Sequence, residues 1–421
     1  MLRESGFVKM RRRVVITGMG VVAPNGIGKQ AFWDALIRGK SAISEITQFD
    51  ASSYPCRIAG EVRGFDPVDF MSAKTVRRTC RFIHLAVAAA HLAIADASLP
   101  QHRFENSRTG VIMGNSFGGL DALEEQFAIF HEKGLTRLSP FTTGMLSPHS
   151  AASQIAIDLR VRGPSVTVAT GCPAGVSAIQ VGMEKIARGS IDVALVGGSE
   201  APITPGTVAA FAATRTLAKQ NRDPSTACKP FDRNRSGFVL SEGAAVVVLE
   251  ELSQAQSRSA PIYGEVLGCS VTNDAYSIFD IDPSGDGLYR AMKNALEESR
   301  VTTEEIDYIS AHAASMVLTD KVESLAINRL LGKRAHTVPV SSIKSMIGQP
   351  MAATGILQVA ACLLAFQDHV IPPTINYEHP DPECDLDCVP NKARKKTTET
   401  ALINTHGYGG INAALVVRRI R

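Results

Sequence analysis

Short apolar, β-branched runs alternate with helical patterns along this chain, and the alternation occurs twice. The first series has apolar runs at residues 13–18, 112–114, 194–198 and 244–249, with a helical pattern at 84–96. The second has runs at 263–268, 306–310, 338–343, 401–403 and 413–417, with helical patterns at 288–299 and 351–367. In the last of these, Ile356, Val359, Leu363 and Phe366 fall on one face. Such alternation is satisfied by helices layered on sheets, so an α/β fold is expected. The comparable element order predicts two similar halves, residues 12–260 and 261–421, with the divide near 252–262. Binding sites commonly form where two such halves meet.

The chain has 421 residues, 45% apolar and 20% charged, which suits a packed globular enzyme and argues against disorder. A net charge of +3 is too small to imply nucleic acid or a membrane surface as partner. Eight Cys without even spacing make no disulfide framework. Cys384 and Cys388 have no CxxC pair or His cluster beside them, so no metal site is expected. The first residues lead into Arg11-Arg12-Arg13 and a strand without a leader pattern, and no apolar stretch looks long and charge-free enough to span a membrane. The expected compartment is the cytoplasm. Gly18-Met19-Gly20 begins like a dinucleotide-binding turn, but no third Gly falls in place and Pro24 interrupts the helix.

Cys172 carries the sharpest chemical signal. It follows the apolar run 164–168 and precedes a helical face of Val176, Ile179, Met183 and Ile186. Pro173 suits the first helical position, having no N–H to lose. The sulfur is thus expected at a helix mouth, where unpaired N–H groups and the positive dipole end favour thiolate, the nucleophilic form. Four further segments begin or end a predicted strand. His312 lies just past one, placed to act as hydrogen-bond donor or acid/base. Lys344 follows another and precedes Gly348. Residues 404–412, with His406, Gly407, Tyr408 and Gly409, form a glycine-rich loop able to approach a ligand or to move. Asp320, Lys321 and Glu323 read as a salt-bridge set at a helix start.

These segments, in this order, resemble the β-ketoacyl-[acyl carrier protein] synthases of the type II elongating kind. Arg12 to Gly18, Pro230-Phe231-Asp232-Arg233, Gly237-Phe238-Val239-Leu240 and Ile371 to Asn376 add to the resemblance, which runs from about Arg12 to Val417. It implies the thiolase-like fold, five layers α-β-α-β-α from two duplicated halves, in a homodimer or in a heterodimer with a homologous subunit. It implies no permanently bound cofactor; phosphopantetheine arrives on the acyl carrier protein. The implied reaction loads an acyl group on Cys172, decarboxylates a malonyl thioester, and joins the two. Backbone N–H groups of Cys172 and Tyr408 would form an oxyanion hole. His312 would polarise the malonyl carbonyl, and Lys344 near Glu323 and Asp320 would hold the site's hydrogen bonds and charge. Tyr408, where the family has a Phe gate, would open and close over the sulfur. Phe117 would line and shorten the acyl pocket, favouring short or unusual chains in a specialised polyketide or modified fatty-acid pathway. Lys74, Arg77 and Arg78 would dock the acidic carrier protein.

The chain departs from that pattern in three places. Gln349 stands where a second catalytic His is usual; its amide can donate a hydrogen bond but carries no proton or charge. Ala313 to Met316 replace Gly-Thr-x-Thr, removing two Thr that bond the pantetheine arm, with Ser315 as the nearest substitute. His406 replaces a Phe beside the gate and can restore an ionisable group near Cys172. Two readings stay open: a condensing enzyme, or a non-elongating homologue that transfers acyl groups without decarboxylation or serves as a chain-length-factor-like partner.

Overall fold

The computed structural model describes residues 12–104 and 107–420; the N-terminal residues read above for a leader lie outside it. Ten strands carry the fold: β1 (Val14–Ala23), β2 (Thr109–Gly114), β3 (Ser165–Val168), β4 (Val193–Glu200), β5 (Gly243–Glu251), β6 (Gly264–Asn273), β7 (Tyr308–Ser310), β8 (Val340–Ser341), β9 (Thr400–Gly407) and β10 (Ile411–Arg418). In the N-terminal half they lie in the order β3-β2-β4-β5-β1, in the C-terminal half β8-β7-β9-β10-β6. By position within each half, both orders read 3-2-4-5-1. The pairing directions match as well: β2 is parallel to β3 and β4, and β7 is parallel to β8 and β9, while the remaining pairs are antiparallel. The two sheets join where Val14–Ile16 of β1 pairs antiparallel with Gly264–Val266 of β6.

Helices α1 (Arg81–Ala97), α2 (Ala174–Ala187), α3 (Asp286–Ser299), α4 (Val317–Leu331) and α5 (Thr354–Asp368) supply the other layers. Strand alternation shows how. On β4, Ala194 and Val196 pack with Val176 and Ile179 of α2 and Ile356 and Val359 of α5, while Val193 and Leu195 pack with α1 on the other side. On β9, Ala401 and Ile403 join the same α2–α5 core, and Leu402 turns outward to α3 and α4. With period 2 each sheet presents two apolar faces, so both must be covered. The result is the thiolase-like stack: α1, sheet, α2 with α5, sheet, α3 with α4. The 18-residue stretch Met351–Asp368 is apolar enough, by composition, to cross a membrane, contrary to the expectation that none would be; it is 89% buried as the central layer of this stack.

Two boundaries differ from expectation for identifiable reasons. The first strand does not end in a glycine turn at Gly18 but runs on to Ala23. A Cβ at Gly20 would lie 2.0 Å from the Ala89 carbonyl of α1, and one at Gly18 would lie 2.5 Å from that of Ala93. These glycines admit a helix against the strand and form no phosphate-binding turn. The predicted strand at 338–343 shrinks to Val340–Ser341, because Ile343 is already helical and opens the short turn Lys344–Ile347.

Candidate active site

Cys172 sits between β3 and α2, as its setting predicts. Gly171 takes φ +66°, a conformation costly for other residues, and the helix begins at Ala174 with Pro173 as its N-cap residue rather than its first helical one. The Cys172 backbone N–H stays out of the hydrogen bonding of the turn, whereas Ala174 N–H bonds to Gly171 C=O at 3.0 Å. The segment 404–412, expected as a glycine-rich loop, is strand through Gly407 and again from Ile411, so only Tyr408–Gly410 turn. Gly407, the last residue of β9, lies directly over the Cys172 turn, where a Cβ would be 3.2 Å from the Cys172 nitrogen. Cys172, His312, Gln349, His406, Gly407 and Tyr408 line one narrow cavity, with Met316, Thr319, Met351 and Phe279 among its other walls. The two halves thus bring together residues up to 236 positions apart (408 minus 172).

Around the sulfur, Gln349 Nε2 donates to Cys172 Sγ at 3.1 Å, and Gln349 Oε1 accepts from Thr354 Oγ1 at 3.2 Å. The Cys172 thiol faces Met351 Sδ at 3.9 Å. Burial pushes the thiol up to about 11, outweighing the downward pull of the Lys344 charge and the Gln349 N–H; the buried Glu200 carboxyl adds to the rise. The helix mouth therefore does not by itself yield a resting thiolate, as the sequence setting suggested: enclosure in a dry pocket costs more than the donors return. Alkylation of Cys172 by iodoacetamide, followed on its own peptide, is expected to quicken about tenfold per pH unit from neutral pH upward. A plateau below pH 8 would contradict this.

The His312 turn is held from behind. Glu323 accepts the N–H groups of His312 (2.8 Å) and Ala313 (2.7 Å). Asp320 accepts those of Ala314 (3.0 Å), Ser315 (3.1 Å) and Met316 (3.2 Å). Both carboxylates are fully buried on α4, and the expected salt-bridge set holds only in part: Asp320 faces Arg235 at 3.9 Å and Lys321 pairs with Glu383, while Glu323 serves the backbone and Lys344. Backbone N–H groups with no strand partner take the carboxylates instead. Lys344, 1% exposed, donates from Nζ to the His312 carbonyl oxygen. Burial draws the Lys344 ammonium down and the Glu323 carboxyl up, each restrained by the other's charge. Ser315 does not face the cavity; it is buried with φ +70°, and its Oγ accepts the Lys229 N–H at 3.0 Å, so it cannot replace a pantetheine-binding Thr. Thr319 lines the cavity.

His312 and His406 lie ring to ring at 4.0 Å. The His406 backbone N–H donates to His312 Nδ1 at 3.4 Å, which leaves the His312 proton on Nε2. Burial pushes His312 well below the usual imidazole range and His406 down to about 3, with Lys344 adding to both. Both rings are neutral at physiological pH, so His406 restores an imidazole beside Cys172 but no charge.

The residues expected at the gate and in the acyl pocket adjoin this cavity. Tyr408, 38% exposed, stacks on Phe211 at 6.3 Å and meets Phe279 edge-on at 6.4 Å. Phe117 does not line the Cys172 cavity; it meets Phe211 edge-on at 6.2 Å in a neighbouring apolar cavity, with Tyr408 and Phe279 common to both. Lys74, Arg77 and Arg78 are exposed on and just after the short helix Ala73–Val76, away from these cavities, and Arg78 caps the Phe141 ring at 4.6 Å. No cluster of metal ligands occurs among the described residues.

Sequence reasoning missed two buried residues that shape the site. Glu200, at the end of β4, accepts from Asn115 Nδ2 (3.1 Å) and from the N–H groups of Ser116 (2.8 Å) and Phe117 (3.2 Å), fixing the loop that carries Phe117. Gln358 Nε2 donates to the carbonyls of Ser310 (3.0 Å), Ala311 (2.9 Å) and Asn404 (3.2 Å), tying the strands that carry His312 and His406. The available signal was a carboxylate closing one apolar run and an amide in the middle of another.

Known proteins share this whole architecture. The β-ketoacyl synthase N-terminal domain family matches residues 11–255 and the C-terminal domain family residues 263–378. The 3-oxoacyl-[acyl-carrier-protein] synthase 2 of Synechocystis sp. is 41% identical over 409 residues, covering 97% of this chain and 98% of that protein. The tetracenomycin polyketide synthase ketoacyl synthase alpha subunit of Streptomyces glaucescens is 43% identical over 415 residues, 97% of each chain. The ishigamide ketosynthase/chain length factor superposes with a TM-score of 0.92 at 32% identity, covering 98% of this chain and 100% of its own. AntDE:AntF, a type II polyketide acyl-carrier protein in complex with its ketosynthase, gives 0.90 at 32% identity over 97% and 100%. From its duplicated sheets to the cysteine at the mouth of α2, the chain belongs to the β-ketoacyl synthase family.

Proposed function

We propose that this chain is a ketosynthase that joins a Cys172-bound acyl group to a malonyl unit carried by acyl carrier protein, by decarboxylative Claisen condensation. The observation that carries the reading is the enclosure of one thiol at a helix mouth with Gln349 on its sulfur and His312 in the same cavity. In the first step Cys172 sulfur attacks the thioester of the incoming acyl-phosphopantetheine. The carbonyl oxygen gains charge between the N–H groups of Cys172 and Tyr408, and collapse expels the pantetheine sulfur, which takes up the thiol proton. In the second, the malonyl C–C bond breaks, CO₂ leaves, and its electron pair forms an enolate against His312 Nε2–H. The enolate carbon then attacks the Cys172 thioester, and the sulfur departs as thiolate. Neutral imidazole fits this role, since the enolate needs a donor that does not quench it by proton transfer.

Lys344, Glu323 and Asp320 position the His312 turn without touching substrate. The exposed Lys74, Arg77 and Arg78 offer a basic surface for the acidic carrier protein. β3 ends the N-terminal sheet with a free edge, suited to pairing with a second copy or a homologous subunit. The acyl chain extends from Cys172 into the neighbouring apolar cavity that Phe117 lines, and Phe117→Ala is expected to extend the loaded chain length; an unchanged preference across a series of acyl thioesters would remove Phe117 as the limit. Cytoplasmic placement accords with the reading.

Incubation with acyl- and malonyl-carrier proteins, scoring CO₂ and product mass together, tests the proposal. One CO₂ per two-carbon-extended product supports it. Acylated Cys172 without CO₂ supports the non-elongating alternative, which Gln349 in the second His position favours.

A further inference from the structure

Two buried groups compete for the task that the second imidazole performs in related enzymes, and one is already occupied. Gln349 sits between Cys172 Sγ and Thr354 Oγ1, with its amide nitrogen and oxygen both engaged. His406 lines the same cavity, and its Nε2 is buried with no hydrogen-bond partner in the protein among the described residues. Leaving such a nitrogen unmatched costs free energy, which a substrate oxygen would recover. Its ring lies 4.0 Å from that of His312, whose own proton is on Nε2, so an oxygen meeting one imidazole is within reach of the other.

We propose that His406 is a second catalytic imidazole, donating from Nε2–H together with His312 Nε2–H to the malonyl thioester oxygen as CO₂ departs, while Gln349 serves the Cys172 sulfur. This rests on the condensation reading and assigns the decarboxylation cradle within it. The malonyl C–C bond breaks, its electron pair moves through the α-carbon to the thioester oxygen, and neither imidazole gives up its proton. The second imidazole has thus moved from the end of the Lys344 turn to strand β9. Both rings are held neutral by burial, as an undissociating donor pair requires.

The test compares the wild type with His406→Phe, which retains a ring at a position where the related enzymes carry Phe, and with His406→Gln, which retains an N–H donor. CO₂ release from malonyl-carrier protein and acyl loading of Cys172 are measured separately. The expected result is a loss of CO₂ release of about 10²–10³-fold in His406→Phe, with loading within about threefold of wild type and partial recovery in His406→Gln. CO₂ release at the wild-type rate in His406→Phe overturns the assignment while leaving condensation intact. If His406→Phe fails to fold, His406→Gln decides: CO₂ release reduced more than loading supports the proposal, and unchanged or equally reduced rates refute it. A wild type that loads Cys172 but releases no CO₂ removes both this inference and the reading beneath it.

Discussion

Cys172→Ala is expected to abolish condensation, lowering product formation at least about 10⁴-fold, because among the described residues no other thiol lines the cavity to hold the acyl group. The His312 cradle stands on α4 and Lys344 and owes nothing to the sulfur. CO₂ release from malonyl-carrier protein should therefore continue, uncoupled from product. Radiolabelled malonyl substrate, with CO₂ and product counted from the same sample, separates the two activities. Loss of both together would mean that the sulfur also organises the malonyl site. The other seven cysteines are buried outside the cavity lining, and burial raises every one of their thiols, so none is positioned to substitute.

Lys344→Met should be the most damaging change outside the nucleophile. The ammonium is held among Glu323, Asp320 and the His312 carbonyl with 1% exposure. Removing it leaves the buried Glu323 carboxylate without its cation, whereas Asp320 keeps Arg235 at 3.9 Å; the imbalance is about 3–5 kcal/mol. It also frees the carbonyl that anchors the His312 turn. Lower thermal stability and a fall in CO₂ release larger than the fall in Cys172 loading are expected. Adding Glu323→Gln to Lys344→Met should recover part of the stability, since the neutral amide can still accept one backbone N–H. A double-mutant cycle with no coupling between the two positions would show that they do not act as a pair.

How much of this was readable from the sequence depends on the distance over which each feature is decided. The face of Val176, Ile179, Met183 and Ile186 announced α2, and every one of them is buried. The alternation of apolar runs foretold two halves, and the matched 3-2-4-5-1 strand orders are its structural counterpart. The local departures at Gln349, Ala313 to Met316 and His406 were equally visible. Their consequences were not, because those arise between residues far apart in the chain. The His312–His406 contact spans 94 positions and the Gln349–Cys172 contact 177. Asp320, Lys321 and Glu323 read as one salt-bridge set, but one turn of helix sends the acids inward and the lysine outward, to separate partners. The thiolate expectation erred by the same logic: the helix mouth is local and legible, but the enclosure that raises the thiol is built by Met351, Tyr408 and Phe279 from elsewhere.

The central claim is that one buried sulfur at the mouth of α2 becomes the acyl carrier in a cavity shared with His312. Peptide mass mapping after brief exposure to an acyl-carrier protein thioester tests it directly. The account predicts a single acyl adduct on the peptide containing Cys172, discharged when malonyl-carrier protein is added. An adduct on any other residue, or a Cys172 adduct that malonyl-carrier protein never discharges, would contradict it.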